Sequence, residues 1–109
     1  MKIIIAGAGE VGFHLAKLLS FESQDITLID TNKDRLNHAE NQLDIKVIKG
    51  NTCSLGVIKE ANISESDLFI AVTAEETTNI TVCAIAKQLG CKRTIARISS
   101  IEYINKNSE

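Results

Sequence analysis

Five short apolar runs, at 2–6, 25–30, 45–49, 67–72 and 94–98, punctuate the chain, with stretches of helical character between them. Several runs, Ile3-Ile4-Ile5-Ala6 above all, are apolar on successive residues rather than alternate ones. That pattern predicts parallel strands covered on both faces. The stretches 10–20, 32–42, 54–61 and 76–89 predict helices. On the first, Val11, Leu15, Leu18 and Leu19 form an apolar stripe; on the fourth, Ile80, Cys83, Ala84 and the stem of Lys87 do so, up to a terminating Gly90. Thr31 before Asp34, Thr73 before Glu76 and Ser99 before Glu102 are capping patterns that mark helix starts. Alternating strands and helices joined by right-handed crossovers predict an α/β fold. It is a Rossmann-like, doubly wound parallel sheet in three α/β/α layers with strand order 3-2-1-4-5.

The first run ends in Gly7-Ala8-Gly9-Glu10-Val11-Gly12, a G-x-G-x-x-G turn leading straight into the first helix. In this dinucleotide fingerprint Gly7 permits the tight turn, Gly9 lets the backbone approach a pyrophosphate, and Gly12 lets the helix pack closely. The free amides and positive dipole end of that helix then hold phosphate. The six-residue pattern alone is weak; its context strengthens it. Asp30 ends the second run, eighteen residues past Gly12, where the fingerprint expects an acid to bind ribose hydroxyls. Such a carboxylate also repels a 2′-phosphate, which favours NAD(H) or an adenosine nucleotide over NADP(H). The plain alternative for Asp30 is a solvated turn carboxylate.

Ligands of doubly wound sheets lie at the carboxyl ends of the strands. Gly7, Ala8, Gly9, Glu10 and Val11 fall there after the first strand, Asn51, Thr52 and Cys53 after the third, Thr73 and Ala74 after the fourth, and Arg97 in the fifth. The 51–53 loop is placed to rim an adenine. Thr73 is accounted for equally by capping its helix. Arg97, within Thr94-Ile95-Ala96-Arg97-Ile98, needs a partner for its charge: a phosphate, a ribose or an acid such as Glu76. Lys33 and Arg35 read as solvated, and His14 and His38 as helix-surface residues.

Bulk properties narrow the classes further. The 109 residues, 44% hydrophobic and 24% charged, suit one globular domain able to bury a core without disulfides. A net charge of −2 gives no electrostatic case for nucleic acid. The apolar runs are far shorter than the roughly twenty residues of a membrane helix, and strand-forming residues follow Met1 directly, so no signal peptide is expected. Three cysteines without a C-x-x-C pair argue for a reducing, cytoplasmic setting, with Cys83 and Cys91 as packing residues and Cys53 in a loop near the ligand. Catalytic groups are scarce: the chain carries no nucleophile elbow and no metal-ligand cluster. The bound nucleotide therefore reads as a signal rather than a reagent. The final stretch, from Ser99, begins a further helix and then stops, so the chain reads as the front piece of a longer protein. The rival readings are the cofactor half of an NAD-dependent dehydrogenase and a site for an adenosyl methyl donor.

Together these residues resemble the N-terminal domain of the regulators of potassium conductance. The resemblance rests on residues 1–12, Leu28-Ile29-Asp30-Thr31, Gly50-Asn51, Lys59-Glu60-Ala61, residues 67–73, Thr78-Asn79, residues 95–98 and Glu102-Tyr103. It implies a non-enzymatic subunit, peripheral to the inner face of the membrane, that binds NAD(H) or an adenine nucleotide (ADP or ATP) and gates a membrane-embedded potassium transporter. It also implies side-by-side dimers assembled into a ring. Gly7 through Val11, Asp30, Thr73, Ala74 and Arg97 are the matching nucleotide positions. Some relatives carry arginine where Glu10 stands; a glutamate there repels a triphosphate and favours NAD(H) over ATP. Thr52 and Cys53 replace the family's usual small residue and its serine or threonine.

Overall fold

The computed structural model describes residues 1–98. The expected Ser99 cap and the helix after it lie outside the described residues. The elements run β1 (Lys2–Ala6), α1 (Glu10–Ser20), β2 (Asp25–Asp30), α2 (Lys33–Gln42), β3 (Lys46–Lys49), α3 (Leu55–Ala61), a 3-10 turn (Ile63–Glu65), β4 (Leu68–Ala71), α4 (Glu76–Leu89) and β5 (Arg93–Ala96). The five strands form one sheet in the order β3-β2-β1-β4-β5, every pair parallel. This is the doubly wound architecture that the alternating runs imply.

Strand β1 is the centre of the sheet, pairing with β2 on one side and β4 on the other. Its side chains alternate between the faces. Ile3 and Ile5 enter the layer under α1 and α2, with Leu28 and Leu36, while Ile4 and Ala6 enter the layer under α3 and α4, with Phe69 and Val82. Burial on both sides explains why Ile3 to Ala6 are all apolar. At the opposite end from the glycine turn, Asp67 accepts the Lys2 N–H at 2.7 Å and pairs with Lys92 at 3.0 Å. The backbone N–H of Lys2, and then Lys92, hold its carboxyl below the usual carboxylate range.

Helices α1 and α4 are rotated relative to the expected stripes. On α1, Gly12 and Ala16 are buried against the sheet and Leu15 and Leu19 of the expected stripe pack beside them, while Val11 and Leu18 are 42% and 64% exposed. The cause is closeness: a Cβ on Gly12 would collide with the carbonyl of Gly7 and stand 3.4 Å from Val72 Cγ2. Only small residues fit where helix and turn approach this tightly. On α4 the inner face is Asn79, Val82, Cys83 and Ala86, leaving Ile80 and Ala84 outside. Gly90 ends that helix in the left-handed conformation, φ 115°, as expected.

The Gly12 contact yields a stability prediction. Gly12→Ala forces the helix off the turn, costing about 2 kcal/mol or more, which corresponds to a melting temperature lower by roughly 10 °C. Thermal unfolding measures it; an unchanged midpoint would show that helix and turn are not in contact.

Candidate functional site

Gly7 leaves β1 with φ 112° and donates its N–H to Ile29 O at 2.8 Å. A Cβ at Gly7 would meet Val72 C and O at 2.9 Å, so glycine is required both for the conformation and for the space. Gly9 then caps α1 with no side-chain acceptor, and a Cβ there would meet nothing within 4 Å. The first amides of α1 thus have no partner within the helix and face open space. An anion fits there, favoured by the helix dipole.

Around this turn lies a cleft of about 640 Å³, spanning the point where the strand order reverses. Its near rim comes from the ends of β2 and β3. Asp30 is half-buried; its Oδ1 accepts the Ala8 N–H at 3.1 Å and its Oδ2 the Asn32 N–H at 2.9 Å. The carboxylate is thereby locked beside the glycine turn, and each oxygen keeps a further lone pair for a hydroxyl donor. Asn32, Arg35, Asn51 and Thr52 complete this rim, and the Asn51 side chain accepts the Cys53 N–H at 2.8 Å. The far rim comes from the ends of β4 and β5: Thr73, Ala74, Glu75, Thr78 and Arg97.

Ten of the twelve sequence-proposed site residues line this one cleft: Gly7, Gly9, Glu10, Val11, Asp30, Asn51, Thr52, Thr73, Ala74 and Arg97. Ala8 does not; it is buried, and only its N–H serves the site, by holding Asp30. Cys53 does not line it either; the loop leaves it exposed to solvent. Arg97 stands one residue past β5 and is exposed, so the expected cost of burying its charge does not arise. Arg35, for which solvation was expected ahead of ribose contact, lines the cleft, since the first turn of α2 runs along the near rim.

The expected caps are corrected too. Helix α2 is capped by Asn32, whose side chain accepts the Arg35 N–H at 3.1 Å, and not by Thr31. Asp30 causes this, because binding the Asn32 N–H sets Asn32 in the extended cap conformation. Thr73 does not cap α4, which starts at Glu76 after Glu75. Its hydroxyl instead donates to Asn79 Oδ1 at 2.6 Å. Asn79 is a site-supporting residue that sequence reasoning missed. The available signal was a polar residue at the head of the stripe Asn79, Val82, Cys83, Ala86.

A second groove of about 550 Å³ adjoins the cleft between α1 and α2, where Phe13 lies 5.8 Å from the His14 ring and 5.0 Å from the His38 ring. Both histidines are exposed on their helices, as expected.

A parallel sheet of this order, with a glycine turn, an open helix N-terminus and an acid closing β2, defines the class of Rossmann-like domains with a dinucleotide-type crevice. Within that class the chain matches the TrkA-N domain model over residues 3–109. It is 41% identical over 105 residues to the Trk system potassium uptake protein TrkA of Vibrio alginolyticus, covering 95% of this chain and 23% of that protein. A TrkA homolog of Archaeoglobus fulgidus is 36% identical over 106 residues, covering 97% and 24% respectively. The chain therefore belongs to the TrkA-N domain family and spans about a quarter of the length of these relatives. Among solved structures, the C-terminal domain of Shewanella denitrificans Kef in its AMP-bound form superposes with a TM-score of 0.73. The two are 18% identical, over 87% of this chain and 57% of that one, a likeness of fold.

The cysteines give a direct check of this placement. Cys83 and Cys91 are buried, and burial pushes the Cys83 thiol above its ordinary range, whereas Cys53 is exposed. A thiol reagent applied to the folded protein at neutral pH is expected to modify Cys53 alone of the three. Mass mapping that finds Cys83 labelled at a similar rate would contradict the packing of α4 on the sheet.

Proposed function

We propose that this domain is the nucleotide-sensing module of a potassium-uptake regulator, binding NAD(H) across the cleft and changing the behaviour of a membrane-embedded transporter subunit. The observation that carries the reading is Asp30, fixed by two backbone N–H groups at the edge of an open glycine turn. In the bound state the helix α1 amides hold the pyrophosphate, Asp30 accepts the hydroxyls of one ribose, and Thr73, Ala74 and Arg97 meet the second nucleoside. Glu10, at the mouth of the turn, disfavours the terminal phosphates of ATP, and ADP is the weaker alternative. Family membership supports the regulatory role, since the curated relatives are potassium uptake proteins. No helix among the described residues is long and apolar enough to cross a membrane, which suits a subunit working beside its transporter at the cytoplasmic face.

The chemistry asked of the site is binding and not turnover. A ligand that prefers one spacing of the two rims shifts the population of conformers, and assembly of several copies side by side transmits the shift.

Asp30→Asn tests the ribose assignment while keeping one side-chain carbonyl oxygen as an acceptor for the Ala8 N–H. Loss of charged hydrogen bonds worth about 1.5–3 kcal/mol weakens NADH tenfold or more. Discrimination against NADPH falls as well, because the repulsion of a 2′-phosphate is gone. Equilibrium titration of both ligands measures this; unchanged affinity for both, with the melting midpoint intact, would overturn the assignment.

A further inference from the structure

Asn79 is the least expected residue in the interior. It is 0% exposed, and Val82, Cys83 and Ala86 share its face of α4. A buried carboxamide is costly unless its donors and acceptors are all used. Here they are. Oδ1 accepts the Thr73 N–H at 3.0 Å and the Thr73 hydroxyl at 2.6 Å. Nδ2 donates to Thr73 O at 3.1 Å and to Arg97 O at 3.0 Å. The bond from the Thr73 N–H fixes which end of the amide is oxygen.

These bonds lie where the sheet stops. The β4–β5 register ends at Ala71 opposite Ala96, and the Arg97 N–H makes one more bond, to Ala71 O at 2.9 Å. Beyond that point the Asn79 side chain links the two chain segments, bonding both Thr73 and Arg97. Thr73 and Arg97 both line the cleft, and Asn79 does not. The residue therefore acts on any ligand through the backbone of the far rim.

We infer that Asn79 is the positioning residue of the far rim, holding Thr73 and Arg97 at the spacing that a dinucleotide requires and so setting the preference for a dinucleotide over a mononucleotide. The inference rests on the proposed NAD(H) reading of the same cleft. A dinucleotide crosses the switch point, with one ribose at the acid after β2 and its other half over β4 and β5. A mononucleotide held by Asp30 and the glycine turn uses the near rim only. Removing the carboxamide releases the Thr73 and Arg97 carbonyls and the Thr73 N–H, which loosens one rim and leaves the other intact.

The experiment is calorimetric titration of the chain with NADH and with AMP, in the wild type, Asn79→Ala and Asn79→Asp. Asn79→Asp keeps the acceptor and loses both donors. NADH is expected to weaken by about tenfold or more in each variant, and AMP by less than about twofold, so that the ratio of the two affinities collapses. Equal weakening of both ligands, or of neither, would overturn the inference and reduce Asn79 to a purely structural residue. Amide hydrogen exchange on the wild type decides the matter if the variants do not fold. The Thr73 N–H, bonded to Asn79 rather than to a strand, gains protection with NADH and not with AMP; equal protection by the two ligands would contradict the inference. Failure of the wild type to bind NADH would instead remove the NAD(H) reading itself, which keeps the two outcomes distinct.

Discussion

Helix α1 meets the end of the central strand with no side chain between them: Gly12 lies directly against the carbonyl of Gly7. The cleft depends on that contact. With α1 so close, its first amides stand over the carboxyl end of β1, and Gly9 leaves the space before them open. The same closeness makes Ala16 the next residue against the sheet and turns Val11 and Leu18 outward. It also brings the Ala8 N–H within 3.1 Å of Asp30, so the acid at the end of β2 is aimed by the turn at the end of β1.

The two rims of the cleft are held in different ways. The near rim is tied by Asp30, whose carboxylate accepts from the turn on one side and from the cap of α2 on the other. The far rim is tied by a neutral carboxamide buried in α4 that spans β4 and β5. A carboxylate at the surface keeps lone pairs for a ligand, whereas a fully satisfied buried amide keeps none. One rim is thus suited to recognition and the other to spacing. In the proposed sensing role, spacing is the variable that ligand binding changes.

Much of this was legible in the chain. Successive apolar residues point to doubly covered parallel strands, and the glycine turn and Asp30 mark the crevice in the sequence itself. What escaped was set by contacts between distant segments. Thr31 and Thr73 have the composition of caps, but Asp30 binds the Asn32 amide, which makes Asn32 the cap of α2, and the Thr73 hydroxyl is bonded to Asn79, while α4 still starts at Glu76 as expected. Helical periodicity gave α1 and α4 the right length and a rotated face, because small or polar residues occupy the tightest contacts. Position in a strand suggested a buried charge at Arg97, yet β5 ends at Ala96 and the side chain reaches the open cleft. Cys53 follows the expected loop, but the Asn51 side chain holds its N–H and turns the thiol out to solvent.

The central claim is that the cleft takes a dinucleotide. Calorimetric titration of the chain with NADH, NAD, ADP, ATP and S-adenosylmethionine in one buffer tests it most directly. The account predicts saturable one-site binding, with NADH or NAD tightest and ATP weakest of the adenine nucleotides because of Glu10. Tighter binding of ATP or S-adenosylmethionine than of either dinucleotide would contradict it.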